Sequence, residues 1–273
     1  MERRRGMTRL TTAATALAGS ALLFIVTPVP RVLTPTARAT VAQTIVTIQF
    51  DDGVADQYQT LGILSAHGMH ATFYVNSGFI GDADHMTWDQ LTALFNAGNE
   101  IGGHTVFHTN VKKLKTVPAR HAVCDDRNAI YAHNLRPESF AYPFGSIDAG
   151  AKAAVQFCGY DSGRGVSGVN DRKVFGETVP PLDPYATRTP PNPKQGTTLA
   201  TIEGYVTAAE MHGGGWVQLV FHHVCDGCDA YSITSANLTM LLDWLQPRAA
   251  NGTVVETTAQ VIGDVLRDPV PAE

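Results

Sequence analysis

Short apolar runs alternate with longer amphipathic segments along most of the chain. The β-branched run at residues 45–48 predicts a buried strand, and similar runs predict strands at residues 71–75, 99–103, 140–142, 160–162, 216–221 and 252–256. Apolar positions at helical spacing predict helices between them, over residues 56–67, 87–95, 117–135, 199–211 and 234–245. This regular alternation predicts an α/β fold with either a barrel or an open parallel sheet.

Local signals mark two helix boundaries and one long irregular segment. Thr87, with Gln90 three residues later, has the pattern of a capping box, and Gly68 is placed to end the helix over residues 56–67. Residues 165–196 are rich in glycine and proline, which predicts a functional loop. We interpret this loop as the wall of a groove, with a strand at residues 185–188 that rejoins the sheet.

The N-terminal segment has the pattern of an export signal. Residues 1–5 are basic, residues 11–29 are apolar and small, and Ala37-Arg38-Ala39 has the form of a cleavage site. We predict a signal peptide over residues 1–39, cleavage near Ala39, and a secreted, extracellular or cell-wall-associated protein. A twin-arginine signal and a retained membrane anchor are the alternatives. Residues 40–273 suit a single domain.

Composition narrows the classes of partner. Hydrophobic residues make up 44% of the chain, charged residues make up 16%, and the net charge is −5. These values are typical of a soluble globular domain, and no basic stripe is present for nucleic acid. Acidic polymers are not favoured as substrates by charge, and we expect a monomer.

Four cysteines in an exported chain favour disulfides. Cys225 and Cys228 can close a local loop directly after His222, which leaves Cys124 to pair with Cys158, although four cysteines allow three connectivities. A redox pair or half of a zinc site is the alternative for the first pair. No second CxxC sequence accompanies it, so we favour a structural disulfide that fixes the loop after His222.

Two adjacent carboxylates, Asp51 and Asp52, follow the first predicted strand and precede Gly53. Successive side chains of a strand point to opposite faces, but a break in the strand at Gly53 can bring both carboxylates to the same side of the strand end. Such neighbours repel each other unless a cation or a shared proton relieves them. A plain Asp-Gly turn with a solvated Asp51 is the competing interpretation.

A histidine pair follows the strand predicted at residues 99–103. His104 and His108 are four residues apart, which on a helical turn would place both imidazoles on one face, where they could converge on a metal ion. One aspartate and two histidines leave coordination positions open for water and substrate. Two histidines without a ligand, on the surface or in the core, are the alternative.

Four short sequences, in order along the chain, carry a resemblance to a known family: Phe50-Asp51-Asp52-Gly53, His104-Thr-Val-Phe-His108, Phe140-Ala-Tyr-Pro-Phe-Gly145 and Leu219-Val-Phe-His222. From about Thr44 to its C-terminus, the chain resembles the polysaccharide deacetylases, carbohydrate esterase family four. The resemblance implies a single α/β domain with a distorted (β/α) barrel of about seven strands. It also implies a divalent metal site and hydrolysis of N-acetyl or O-acetyl groups on glycans.

The resemblance also implies a ligand set for the metal. Asp52, His104 and His108 would hold a divalent cation, with Zn²⁺ favoured. The cation would lower the pKa of a bound water to about 7.

Three further residues would then perform the proton transfers and stabilise charge. Asp51 would act as the base and His222 as the acid, while the backbone N–H of Phe144 would stabilise the oxyanion. The family motif commonly has an arginine where Ala141 stands, and that arginine orients the base. Arg164, after the strand predicted at residues 160–162, is a candidate to supply the missing charge.

We therefore expect a secreted, metal-dependent hydrolase of acetyl groups on chitin oligomers, peptidoglycan or a glucosamine polymer. An acetylxylan-type O-acetyl esterase is one alternative, and a weakly catalytic carbohydrate-binding homologue is another. The pair Asp51 and His222 favours an enzyme, whereas the absence of arginine at Ala141 keeps the binding alternative open.

Overall fold

The computed structural model describes residues 43–169 and 172–273. The predicted signal peptide over residues 1–39 lies outside the described residues, and its cleavage stays a prediction. All described residues belong to one compact unit. Within the described ranges, no helix combines the length and the apolar character that a bilayer span requires.

Seven parallel strands form a nearly closed barrel. They are β1 (Thr44–Phe50), β2 (Thr72–Val75), β3 (Glu100–Gly103), β4 (Ser139–Ala141), β5 (Ser162–Gly168), β6 (Thr187–Thr189) and β7 (Gly215–Phe221). Two short strands, β8 (His223–Val224) and β9 (Ser232–Ile233), pair with each other outside it, and β10 (Thr253–Val255) pairs with the start of β1. The predicted barrel of about seven strands is confirmed.

Helices surround the barrel. The α-helices are α1 (Thr60–His67), α2 (Trp88–Asn96), α3 (Thr116–Arg120), α4 (Asp126–Ala132), α5 (Ala149–Phe157), α6 (Leu199–Met211), α7 (Ser235–Leu245) and α8 (Thr258–Ile262). Shorter 3₁₀ segments cover Ala55–Gln59, Val111–Lys113, Pro143–Gly145, Pro184–Ala186 and Gln246–Asn251, and His121–Asp125 is a π-helix.

β1 is the central strand of the sheet. It pairs with β7 along its whole length, from Thr44 opposite Gly215 to Phe50 opposite Phe221, and its other edge pairs with β10 and then with β2. The remaining strands follow in the order β2 to β6. No backbone ladder joins β6 to β7 in the described sheet. Instead, the Gln218 side chain of β7 donates to the carbonyl oxygen of Arg188 in β6 at 2.8 Å and connects the two strands.

The two faces of the barrel strands differ in polarity because side chains alternate along a strand. Val46, Ile48 and Phe50 of β1 face outwards and join the hydrophobic core beneath α1, α2, α6 and α7. Thr47 and Gln49 belong to a buried hydrogen-bonded network inside the barrel, where the Gln49 amide donates to Thr47, Gln218 and Thr258. The barrel interior is therefore polar, and the apolar core lies between the sheet and the helices.

Two predicted helices differ from the structure in their detail. The helix predicted over residues 56–67 is a 3₁₀ turn, Ala55–Gln59, followed by α1, which ends at Gly68 in the left-handed conformation as expected. The helix predicted over residues 117–135 is α3, the π-helix and α4 in succession. The capping box at Thr87 and Gln90 is confirmed.

The strand predicted at residues 160–162 lies further along the chain than expected. β5 runs from Ser162 to Gly168, so part of the segment interpreted as a loop is strand. The strand predicted at residues 185–188 is a 3₁₀ turn followed by β6.

Both predicted disulfides are present. Cys124 in the π-helix is bonded to Cys158 after α5, and Cys225 is bonded to Cys228. The described residues include no free cysteine. The second bridge lies directly after β8, so it closes a small ring beside the segment that carries His222.

Candidate active site

A cavity of about 580 Å³ opens at the carboxyl ends of the barrel strands. All of the sequence-predicted site residues except Arg164 line it: Asp51, Asp52, His104, His108, Phe144 and His222. The far wall comes from the loop before α6, with Pro191, Asn192 and Lys194, and from Asp229 and Tyr231. This loop is therefore a wall of the cavity, as its composition predicts.

The turn after β1 brings the two aspartates to the same cavity. Asp52 and Gly53 both adopt left-handed backbone conformations, with φ of 75° and 68°. A side chain at Gly53 would be strained at this φ, and its Cβ would lie 3.0 Å from Val75 Cγ1. Asp51 continues the ladder by donating its N–H to the carbonyl oxygen of Phe221 at 2.9 Å. The chain reverses direction directly after the strand, and both carboxylates face the cavity.

Asp52 and the two histidines converge on one point. Asp52 Oδ1 lies 3.3 Å from His104 Nε2 and 3.4 Å from His108 Nε2, and the three ligand atoms lie within 4.8 Å of one another. Asp52 Oδ1 is buried and has no hydrogen-bond partner of acceptable geometry in the described chain. A buried carboxylate oxygen facing two imidazole nitrogens fits a divalent cation held by one oxygen and two nitrogen ligands.

The segment that carries the histidines is not the helical turn that the spacing suggested. Thr105 and His108 both have positive φ, at 68° and 49°, and the intervening residues form a tight turn. The Thr105 hydroxyl accepts a hydrogen bond from the N–H of Thr109 at 2.7 Å, which closes the turn. The two rings therefore converge because of a turn with left-handed residues, and their centroids are 4.9 Å apart.

Side chains from neighbouring elements hold this turn in place. The ring of His104 donates from Nδ1 to the carbonyl oxygen of Ala141 at 2.7 Å, which leaves Nε2 free to bind a cation. Asn76, after β2, donates to the carbonyl oxygens of His104 and Thr105. Asp126 of α4 accepts the N–H of His104 at 3.0 Å. Sequence reasoning missed Asn76 and Asp126, because only tertiary packing brings them to this turn.

The environment shifts the pKa values of the proposed ligands. Burial opposes ionisation of Asp52, but its close contact with His104 and the charges of the nearby histidines outweigh it and hold its pKa well below the ordinary value. Burial, together with the charge of His104, lowers the pKa of His108. Burial also opposes protonation of His104, but its close contact with Asp52 and the two aspartate charges raise its pKa overall. Protons therefore compete with a cation mainly at His104.

Asp51 does not join the group of Asp52 and the two histidines but forms an ion pair with Arg164. It is buried, and its Oδ1 accepts a hydrogen bond from Arg164 Nη2 at 2.5 Å. Its Oδ2 lies 3.9 Å from His222 Nε2. The adjacent carboxylates of Asp51 and Asp52 thus have different partners, an arginine for one and two histidines for the other.

Arg164 reaches Asp51 from the strand next to the one on which the family motif has its arginine. In the parallel pairing of β4 and β5, Ala141 lies directly opposite Arg164. The guanidinium is buried, donates also to the carbonyl oxygen of Gly165 at 3.1 Å, and lies 5.1 Å from the centre of the Tyr74 ring. Because Ala141 is small, the long side chain of Arg164 on the opposite strand can place its positive charge next to the Asp51 carboxylate.

Phe144 lines the edge of the cavity. Its φ of 61° turns the chain out of β4, and its side chain is 66% exposed and contacts the His108 ring edge-on at 4.5 Å. Within the described part of the chain, its N–H donates no hydrogen bond, whereas the next N–H, of Gly145, bonds to Tyr142. The free N–H is available to a ligand oxygen.

Comparison with known proteins finds a partial match to one family and a shared fold. A family model described as polysaccharide deacetylase matches residues 38–163, a segment that ends one residue before Arg164. A putative polysaccharide deacetylase of Bacillus subtilis (strain 168) is 27% identical over 121 residues, which cover 43% of this chain and 43% of that protein. The alignment thus spans less than half of this relative.

Two solved structures share the fold at low identity. A family 4 carbohydrate esterase from Streptomyces lividans in complex with acetate has a TM-score of 0.54 at 19% identity, covering 82% of this chain and 98% of that chain. A family 4 acetyl xylan esterase from Clostridium thermocellum with a cobalt ion has a TM-score of 0.53 at 18% identity, covering 80% of this chain and 90% of that chain. The architecture is therefore that of the family 4 carbohydrate esterases. Sequence similarity to polysaccharide deacetylases is thus shown for residues 38–163, less than half of the chain.

Proposed function

We propose that this protein is a metal-dependent deacetylase that hydrolyses N-acetyl groups of a glycan. The observation that carries the proposal is the pairing, in one cavity, of a carboxylate and two imidazoles with a second carboxylate held by an arginine and a histidine. The family match supports the general chemistry. Residues 164–273, which include Arg164 and His222, lie outside the matched segment, so their roles rest on geometry.

Asp52, His104 and His108 would hold a divalent cation, for which we favour Zn²⁺, and the cation would supply Lewis acidity and a lowered pKa for water. The cobalt ion in the Clostridium thermocellum relative supports a divalent metal, without fixing its identity for this chain. Hydrogen bonding of His104 to Ala141 sets the tautomer that leaves Nε2 as the ligand atom.

Asp51 acts as the general base in this proposal. Arg164 engages Oδ1, so Oδ2 is the oxygen that receives the proton of the attacking water. The Phe144 N–H donates to the acetyl oxygen as negative charge develops there. His222 Nε2, which lies 3.9 Å from the same Asp51 oxygen, protonates the departing nitrogen.

An acetate-release assay on the full chain tests the proposal. The protein, loaded with Zn²⁺, is incubated with N-acetylated chitin oligomers, peptidoglycan and acetylated xylan, with and without a chelator. Acetate released from an N-acetylated glycan, and lost on chelation, is the expected result. Release from acetylated xylan alone would replace the proposal with an O-acetyl esterase, and glycan binding without release would identify a carbohydrate-binding homologue.

The His222→Ala variant separates amide from ester hydrolysis. An amine is a poor leaving group without a proton, whereas an alkoxide on a sugar departs more readily, so loss of the acid should slow amide cleavage more than ester cleavage. Equal losses on both substrates would contradict the role assigned to His222.

Two parts of the proposal concern the protein as a whole. The basic, apolar and small-residue pattern of residues 1–39 supports export to the cell surface or the medium. We also propose that the exported protein is a monomer. Mass spectrometry of the N-terminus of the protein recovered outside the cell, and its sedimentation, test these two statements.

A further inference from the structure

The 3₁₀ helix Ala55–Gln59 follows the turn at Asp52 and Gly53, and it forms hydrogen bonds with the chain directly after β7. Asp56 Oδ1 accepts the N–H of Val224 at 2.9 Å, and its Oδ2 contacts Nδ1 of His223 at 2.7 Å. Gln59 donates to the carbonyl oxygen of Val224 at 2.5 Å. These contacts hold His223 and Val224, which directly follow His222.

Gln57, in the middle of this helix, joins the two strands that carry the proposed base and acid. Its side chain is fully buried. Its Nε2 donates to the carbonyl oxygen of Asp51 at 2.5 Å and to the carbonyl oxygen of His222 at 2.7 Å. One amide group therefore contacts the backbone of both residues.

The position of Gln57 coincides with the end of the β1–β7 ladder. The last backbone bond between these strands runs from the N–H of Asp51 to Phe221, and the chain after Phe221 pairs with β9 instead. Beyond that point the carbonyl oxygens of Asp51 and His222 both lack a backbone donor from the facing strand. Two carbonyl oxygens cannot bond to each other, so only a donor between them can satisfy both. Gln57 provides that donor.

The side chain of His222 has no comparable anchor. Its Nδ1 is buried and has no hydrogen-bond partner in the described part of the chain. Its ring contacts Tyr231, at 5.2 Å between centroids. The placement of Nε2 relative to Asp51 therefore depends on the backbone at residue 222, which is the backbone that Gln57 holds.

We propose that Gln57 is a positioning residue that sets the separation between the carboxylate of Asp51 and the imidazole of His222. The inference rests on the proposed deacetylase function, in which these two groups exchange protons with one substrate. Gln57 is not among the residues that line the cavity, and its Nε2 bonds to the backbone, not the side chains, of the two residues. A misplacement of about 1 Å in such a pair can lower the rate about 10²-fold.

The test compares Gln57→Met with Gln218→Met in the full chain loaded with Zn²⁺. Methionine keeps the length of the side chain and removes the donor. Gln218 is a matched control, because it is also buried and its Nε2 also donates to a backbone carbonyl, that of Arg188, but away from the strand ends. Both variants should lose thermal stability, and both should keep their bound zinc.

Only Gln57→Met should lose turnover. On an N-acetylated oligosaccharide that the wild type deacetylates, we expect kcat to fall about 10- to 100-fold while KM changes by less than about 2-fold. Gln218→Met should keep kcat within about 2-fold of the wild type. This division between kcat and KM separates positioning from a general loss of folded protein.

Two outcomes would overturn the inference, and each has a distinct meaning. Equal kcat values for Gln57→Met and Gln218→Met, with an active wild type, would remove the role of Gln57 and leave the proposed function intact. A wild type that releases no acetate from any glycan would remove the proposed function itself. If Gln57→Met does not fold, Gln57→Asn, which keeps the amide on a shorter side chain, is measured by the same criteria.

Discussion

The two halves of the cavity are built in different ways. The proposed metal half contains Asp52, His104 and His108, whose positions depend on short turns with positive φ directly after two strands. The proposed proton-transfer half contains Asp51, Arg164 and His222, which lie in or directly after three different strands and meet only through the barrel. The first half depends on local backbone geometry and the second on how the strands are arranged, so the two halves should fail separately when single residues are changed.

The largest effect is expected in the metal half. His104→Ala removes a ligand and leaves Asp52 Oδ1 with a single imidazole, so bound zinc and acetate release should be lost together. Metal catalysis contributes several kcal/mol, so the rate should fall by about 10³-fold or more. Metal content by atomic emission and the acetate assay give the two readouts. A His104→Ala protein with full zinc content would contradict the ligand assignment.

The second effect belongs to the proton-transfer half. Asp51→Asn keeps the size of the side chain but cannot accept a proton, so kcat should fall about 10²- to 10⁴-fold. Zinc content should equal that of the wild type, because Asp51 is not a proposed ligand. Loss of zinc in Asp51→Asn would show that the two halves of the cavity are not separable.

A smaller loss of activity is expected at Arg164. Arg164→Ala leaves the buried carboxylate of Asp51 without its ion pair, which should cost about 3–5 kcal/mol of folding free energy and lower kcat roughly 10-fold or more. Arg188→Ala is the control, because Arg188 also pairs with a buried carboxylate, that of Glu177 at 2.6 Å, outside the cavity. Urea unfolding and kcat are measured on both variants. Unchanged kcat in Arg164→Ala would mean that Asp51 is oriented by another group.

The smallest effect is expected at the opposite end of the barrel and concerns stability alone. Burial, reinforced by Asp264, raises the pKa of Glu138, which precedes β4, to about 8. Between its ordinary pKa of 4.5 and about 8, the folded state retains a proton that the unfolded state has released, so this carboxyl lowers stability as the pH rises.

Glu138→Gln removes this titration. The variant should gain stability over the wild type as the pH rises from 5 to 8, by on the order of 1 kcal/mol, and the gain should level off above about pH 8. Urea unfolding across this pH range measures it, and kcat at each pH should match the wild type. A constant stability difference across the range would exclude the raised pKa.

The convergence of the proposed metal ligands could be predicted from sequence, because these residues follow strands whose apolar patterns are clear. Asp52 and His104 follow β1 and β3, and parallel strands end at the same edge. The helical turn predicted for His104 and His108 was wrong, because four-residue spacing does not distinguish a helical turn from a turn with left-handed residues. The two disulfides were paired correctly because one pair closes a three-residue separation and leaves only one partner for each remaining cysteine.

Contacts between distant residues were much harder to predict. The ion pair of Arg164 with Asp51 joins residues 113 positions apart. It depends on the register that places Ala141 opposite Arg164, and no local pattern encodes that register. The sequence did not indicate a role for Gln57, because a glutamine beside an aspartate is common in short amphipathic segments. Its significance comes only from two carbonyl oxygens at the end of a strand ladder.

The polar interior of the barrel has a consequence for how the chain folds during synthesis. Gln49, in the first strand, bonds to Gln218 and to Thr258, which are 169 and 209 residues further along the chain. Until those residues emerge from the ribosome, β1 lacks both its longest strand partner and the groups that satisfy its inward side chains. Pairings over such separations fold slowly, and an unpaired apolar strand associates readily with other chains. Nascent chains that stall before β7 should therefore depend on chaperones, whereas the completed chain can close its barrel.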